Sequence, residues 1–152
     1  MSEDSGNGPV RAPMLLTIRP FEDADESDVV SLWHVAGTTR PWNDPNAGLS
    51  QKRNVQRELF LVALVDGVLV ATAMAGYDGH RGWVYSLAVR PEHRRHGHAR
   101  ALMGEVERRL AEIGCLKLNL QVRGDNADAL SFYARLGYEV ENRVSLGKRL
   151  RG

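Results

Sequence analysis

Apolar and polar positions recur along this chain in two different periods, and the switches between them mark its elements. Met14-Leu15-Leu16-Thr17-Ile18 is an apolar run suited to a first strand. Val29, Leu32, Trp33 and Ala36 then recur at i, i+3, i+4 and i+7, the stripe of an amphipathic helix, and Asp25 and Glu26 suit its positive N-terminal end. Gly37 predicts its stop. The segment Arg40-Pro41-Trp42-Asn43-Asp44-Pro45 carries two prolines, which argue against regular helix there, and a short helix is expected from about residue 50 to 57. Residues 59–65 and 68–77, rich in valine and alanine and joined by Asp66-Gly67, read as a hairpin with a type I′ turn. A second turn, Asp78-Gly79-His80-Arg81-Gly82, leads into a strand over 83–89 bounded by Arg90-Pro91.

The longest stripe comes next. Ala99, Leu102, Met103, Val106, Leu110 and Ile113 line one face of a helix that Gly114 stops. Residues 116–122 alternate as a half-buried strand, 126–136 are helical with Gly137 as the cap, and 138–150 are expected to supply two short final strands. Strands and helices in this order describe a mixed α+β plan, with helices crossing between strands.

Composition narrows the class. The chain has 152 residues, 43% hydrophobic and 26% charged, which is ordinary globular composition. Residues 1–13 offer too little apolar surface to order and are expected to be a flexible tail, with one domain over 14–152. Twenty Lys and Arg against nineteen Asp and Glu leave a net charge of +1, so the overall balance does not favour a polyanion. The single cysteine, Cys115, cannot form an internal disulfide and reads as a buried small hydrophobe. No apolar run approaches the ~20 residues of a membrane helix, and a cytoplasmic location is expected.

The chemistry concentrates where the strand 83–89 feeds the long helix through Arg94-Arg95-His96-Gly97-His98-Ala99-Arg100. A helix start exposes N–H groups that no intrahelical carbonyl can take, and the dipole adds partial positive charge. Gly97 and the small Ala99 let an anion approach the backbone, while Arg94, Arg95 and Arg100 supply charge and forked donors. Cations are unfavourable at that end of a helix, so three arginines there ask for a phosphate-bearing ligand; the other reading is a solvated basic face. The turn has neither a P-loop string nor the three glycines of a dinucleotide fingerprint. His93, His96 and His98 lie close in sequence, but flanking arginines repel a cation and no carboxylate or cysteine completes a set, so no metal is expected. The patch is too compact for nucleic acid.

Leu87-Ala88-Val89-Arg90-Pro91 followed by Arg94-x-x-Gly97-x-Ala99 resembles motif A of the GCN5-related N-acetyltransferases. The run Asn126-Ala127-Asp128-Ala129-Leu130-Ser131-Phe132-Tyr133-Ala134-Arg135-Leu136-Gly137-Tyr138 is similar to their motif B helix. Arg40 to Pro45 and Asp78 to Gly82 look like the bacterial YpeA-like branch. The resemblance implies a mixed, mostly antiparallel sheet of about six or seven strands, with helices on both faces and strands four and five splayed apart over acetyl-CoA. It also implies that the main chain of Leu87, Ala88 and Val89 pairs with the pantetheine amides. N–H groups among Arg94, Arg95, His96, Gly97, His98, Ala99 and Arg100 would hold the pyrophosphate. Asn126 would meet the cofactor, and Tyr133 would stand near the thioester sulfur; core packing of Tyr133 with Leu130 and Leu136 is its alternative role.

The implied reaction is direct attack of a neutral primary amine, on a small molecule or peptide, upon the thioester, without an acyl-enzyme. Cys115 has no neighbour in sequence to activate it as a nucleophile. The Leu87 N–H is placed as the donor to the carbonyl oxygen as charge develops there, and Tyr133 as the proton donor to the departing thiolate. Two positions depart from the family pattern. Many relatives carry a glutamate on strand four, whereas this strand reads Trp83-Val84-Tyr85-Ser86-Leu87 and leaves the base open. Asp78 and His80 lie roughly 20 Å along the strand from Leu87 and suit a turn. Without a strong base, an α-amine with a pKa near ~8 is favoured over lysine near ~10.4. His98 stands where relatives are usually apolar, which leaves it loosening the helix start or turning to solvent. Acceptor recognition falls to Arg40, Trp42, Asn43 and Asp44 with Tyr85, although Trp42 could simply pack its loop and Asp44 make a turn. The alternative to an enzyme is a CoA-binding regulatory module, and either a monomer or a homodimer is compatible with the sequence.

Overall fold

A computed structural model describes residues 15–39 and 44–151. The expected tail, 1–13, and the candidates Arg40, Trp42 and Asn43 lie outside the described residues. Two compact units divide the chain, one ending at Leu120 and the other beginning at Gln121.

The first unit is built on a five-stranded sheet in the order β1-β2-β3-β4-β5. Its strands are β1 Leu16–Pro20, β2 Phe60–Val65, β3 Val68–Tyr77, β4 Gly82–Val89 and β5 Leu118–Leu120. The first four pair antiparallel, and β4 and β5 pair parallel. That single parallel step follows from the connection, because a strand joined to its neighbour through a long helix re-enters in the same direction. The turn between β2 and β3 has φ of +49° at Asp66 and +82° at Gly67, the two positive values that a type I′ turn requires. Asp78 shapes the next turn, its Oδ1 accepting from the His80 and Arg81 N–H groups at 2.7 Å.

Both faces of the sheet are covered. Phe60 and Val62 of β2 pack with Val29, Leu32 and Trp33 of α1 (Glu26–Val35) and Leu49 of α2 (Pro45–Lys52). Leu61 and Ala63, which alternate with them, are buried as well, toward the face covered by α3 (His98–Glu112). α3 buries Leu102, Met103, Val106 and Leu110, each worth ~1.5–3 kcal/mol when fully removed from water. Ile113, expected on that stripe, lies past the end of the helix and is half-exposed. Gly82 tolerates no side chain, since a Cβ there would stand 2.8 Å from Cys115 Sγ and 3.1 Å from Leu110. At the entry to α1, Arg19 grips Asp25 through two hydrogen bonds of 2.7 and 2.9 Å, holding that carboxyl below the usual carboxylate range.

Four expectations need correction. The short helix runs Pro45–Lys52 rather than from 50 to 57, because proline is well suited to a helix's first position, where its missing N–H would have no partner. The strand count is five among the described residues, not six or seven. Residues 138–151 form no strand: Val140, Val144, Leu146 and Leu150 alternate as strand residues would, but all four stand exposed, and alternation without a covered face or a ladder partner stabilises nothing. Cys115 is half-exposed rather than buried, its Sγ donating to the Lys117 carbonyl at 3.3 Å.

The second unit contains α4, Ala127–Arg135, capped by Asn126 Oδ1, which accepts from the Ala129 N–H at 3.0 Å.

Candidate active site

β4 bends where the chemistry was expected. Thr72 lies opposite Ala88 and Met74 opposite Tyr85, so Ala73 alone faces two residues, Ser86 and Leu87. This is a β-bulge, and Ser86 takes a φ of +53° to make it. A left-handed conformation is uncommon for a residue other than glycine. On its other side β4 pairs with β5 only at Gly82, Trp83 and Val84, yet β4 continues to Val89. From Tyr85 onward, then, β4 keeps β3 on one edge and has no ladder partner on the other among the described residues. This is the expected parting of strands four and five, and Leu87 lies within it, three residues past the last paired position.

The turn beyond β4 exposes the start of α3. Pro91–His93 form one turn of 3-10 helix, Arg94 is extended, Arg95 has φ +64°, and Gly97 has φ +79° as the residue preceding α3. No side chain caps that helix. The first backbone bond within it runs from the Ala101 N–H to the Gly97 carbonyl at 3.0 Å, which leaves the leading N–H groups directed out of the helix end. Space around Gly97 is open, with nothing within 4 Å of where a Cβ would stand. Arg94, Arg95 and Arg100 are exposed, and none of the ion pairs among the described residues uses them. Open backbone donors, a positive dipole end and three uncompensated guanidinium groups fit a diphosphate.

His98 does not turn to solvent. It is 7% exposed, with its Nε2 buried and unpartnered. Burial, then the nearby His93 and His96, push its pKa down. The three rings lie 5.7 to 6.4 Å apart, and no metal-holding group of His, Cys, Asp or Glu occurs among the described residues.

The remaining expected residues fall in several places. Ala88 is buried in the core against α1, while Leu87 and Val89 are half-buried. Tyr85 is 51% exposed and stacks on Trp83 at 6.4 Å. Asp44 caps α2, its Oδ1 accepting from the Asn46 N–H at 3.0 Å. In the second unit Asn126 caps α4, and Tyr133 is half-buried, meeting the rings of Phe132 at 5.0 Å and Tyr138 at 5.6 Å edge-on. Burial pushes the Tyr133 phenol up to about 12.

The sequence reading missed Thr72 and the second role of Trp33. Trp33 was legible as a stripe residue, yet its indole nitrogen reaches Thr72 Oγ1 at 2.9 Å. Thr72 Oγ1 in turn lies 3.1 Å from the Ser86 carbonyl oxygen, at the bulge. The available signal was a lone hydroxyl between Ala71 and Ala73 in an otherwise apolar strand, because a buried hydroxyl needs a partner.

Comparison with known proteins agrees with this geometry. An acetyltransferase of Yersinia enterocolitica is 45% identical over 135 residues, covering 89% of this chain and 96% of its own. The solved structure of Ard1 from Thermoplasma volcanium superposes with a TM-score of 0.72 at 28% identity, over 83% of this chain and 84% of its own. The PaiA N-acetyltransferase of Thermoplasma acidophilum, solved with coenzyme A, shares the fold with a TM-score of 0.69 at 19% identity, covering 86% of this chain and 94% of its own. The profile of the acetyltransferase (GNAT) family matches residues 27–138. With a parted fourth and fifth strand, an open arginine-rich helix start and this family match, the chain belongs to the GNAT family of acetyltransferases.

Proposed function

We propose that this chain is an acetyl-CoA-dependent N-acetyltransferase that acts on a primary amine by direct attack in a ternary complex. The observation that carries the reading is the uncapped start of α3, ringed by Arg94, Arg95 and Arg100 without carboxylate partners, directly after a β4 that has lost its β5 partner. Acetyl-CoA supplies the acyl group as a thioester: the amine nitrogen bonds to the carbonyl carbon, the C–S bond breaks, and the proton shed by nitrogen ends on the CoA sulfur.

The protein's part is to hold and to stabilise. The α3 start and its arginines anchor the diphosphate, and the unpaired edge of β4 at Leu87 and Val89 offers main-chain groups to an extended amide chain. The Leu87 N–H serves as donor to the thioester oxygen, where fixed donors are worth most. With a phenol near 12, Tyr133 is a hydrogen-bond donor to the leaving sulfur. The raised value keeps the phenol protonated at neutral pH, as a donor to the departing thiolate must be, and the proton shed by the amine restores the balance. β4 carries no carboxylate from Gly82 to Val89, and Asp78 is engaged in its turn. An amine that is partly neutral by itself, ~10% for an α-amine at pH 7, therefore suits this site better than a lysine.

The missing carboxylate also favours a second reading, a CoA-binding regulatory module. Free thiol release from acetyl-CoA, measured across peptides with free N-termini, lysine, amino acids, polyamines and aminoglycosides, separates the two. Turnover with α-amines ahead of lysine is expected. Tight acetyl-CoA binding without release for any amine replaces the enzyme by the module, and absence of binding removes both. Tyr133→Phe is expected to lower kcat about tenfold to a hundredfold while acetyl-CoA affinity stays within about threefold.

A further inference from the structure

Thr72 is fully buried in the middle of β3 and is the centre of a relay that ends at the bulge. An indole N–H can only donate, so the Trp33 Nε1 contact at 2.9 Å occupies a lone pair of the Thr72 hydroxyl. The single hydroxyl proton is then donated to the Ser86 carbonyl oxygen, 3.1 Å away. That carbonyl and the Leu87 N–H belong to the same peptide plane. The chain has no cis peptide bonds among the described residues, and in a trans unit the two groups point in opposite directions. With its carbonyl held toward β3, the unit must direct the Leu87 N–H to the other side of β4, where β5 stops pairing after Val84.

We propose that Thr72 and Trp33 are positioning residues for acyl transfer. They clamp the Ser86–Leu87 peptide so that its N–H stands as a rigid donor facing the parted strands. A hydrogen bond on the carbonyl also polarises the amide and strengthens its N–H as a donor. The clamp is needed because the bulge removes local regularity: Ser86 sits at φ +53°, and one residue of β3 faces two of β4. A valine in the place of Thr72 would fill the same space between Ala71 and Ala73 but leave the Trp33 Nε1–H and the Ser86 carbonyl without this partner. The inference rests on the transferase reading for the role given to the Leu87 N–H.

The test compares Thr72→Val, Thr72→Ser and Trp33→Phe. Thr72→Val is expected to lower kcat by about tenfold or more, with the KM for acetyl-CoA within about threefold of the parent. Thr72→Ser, which keeps the donor, restores most of the rate, and Trp33→Phe falls between them. A Thr72→Val protein that keeps kcat within twofold overturns the clamp, as does a Thr72→Ser protein equally slow at equal thermal stability. Should the parent bind acetyl-CoA yet release no CoA with any amine, the transferase reading fails on its own account. The clamp is then read from the Leu87 amide resonance in the acetyl-CoA-bound protein: Thr72→Val shifts or broadens it and Thr72→Ser leaves it in place. A Leu87 resonance indifferent to Thr72→Val overturns the clamp in that case.

Discussion

The two ends of α3 use the same residue type for opposite purposes. At its start Arg94, Arg95 and Arg100 stand exposed, outside every ion pair among the described residues and against the positive end of the helix dipole. In its second half Arg108 reaches Glu105 and Glu112 at 2.6 Å, and Arg109 reaches Glu105 at 2.8 Å. Those cations agree with the dipole and are neutralised by neighbours one turn away. The second arrangement supports the helix and asks for nothing from outside. The first opposes it, and becomes favourable when an anion arrives. Position relative to the helix end, and the presence of a carboxylate, separate the unpaired arginines from the structural ones.

The largest expected effect comes from breaking the start. Replacing Arg94, Arg95 and Arg100 together by alanine should raise the acetyl-CoA Kd about a hundredfold or more by titration calorimetry at low salt, since charge-assisted hydrogen bonds contribute ~1.5–3 kcal/mol each. Alanine at Arg108 and Arg109 should leave that Kd unchanged. If both sets weakened binding alike, the contrast between the two ends would collapse into general charge attraction.

A middle-sized effect concerns His98, buried at the start of α3. Its pKa lies below the ordinary 6.5 because burial opposes its charge. The unfolded chain therefore binds the proton more readily, and stability falls as pH drops below 6.5 toward the folded pKa. His98→Leu should remove this slope and raise the thermal midpoint by a few degrees, equivalent to about 1 kcal/mol for an unsatisfied buried group. Melting curves between pH 5 and 8 measure it, and an unchanged slope in the variant would locate the proton elsewhere.

The smallest effect belongs to the far end. Glu105 is held at about 2 rather than 4.5 by Arg108 and then Arg109. Its depressed pKa gives stability that is present above 4.5 and lost as pH falls toward 2. Surface pairs of this kind contribute less than ~1 kcal/mol, so Glu105→Gln should lower the midpoint slightly at pH 7, flatten the acid limb of the stability curve and leave acetyl-CoA binding untouched.

Much of this was legible in the chain itself. The stripe at Leu102, Met103, Val106 and Leu110 needs only a helical period and a core to face, and Asp66-Gly67 needs only its permitted dihedrals. Gly97 with three arginines marked a helix start flanked by exposed cations, and N–H groups at such a start are unsatisfied in any fold. Local chemistry also explains the errors. Pro45 looked like a helix breaker and is a helix starter, a distinction set by one position. Val140, Val144, Leu146 and Leu150 alternate as strand residues do, but pairing requires another strand's backbone, which no local pattern supplies.

Periods, turn types and the glycine-led start of α3 were determined by sequence alone, because each depends on residues within a few positions of one another. Tertiary structure alone decided the burial of His98, the bulge at Ser86 and the relay from Trp33 through Thr72. Those residues are separated by 39 and then 14 positions, and they meet only once α1 has packed on the sheet and β3 has found its register with β4. A hydroxyl in a strand has no meaning by itself; it acquires one from the carbonyl that folding sets 3.1 Å away.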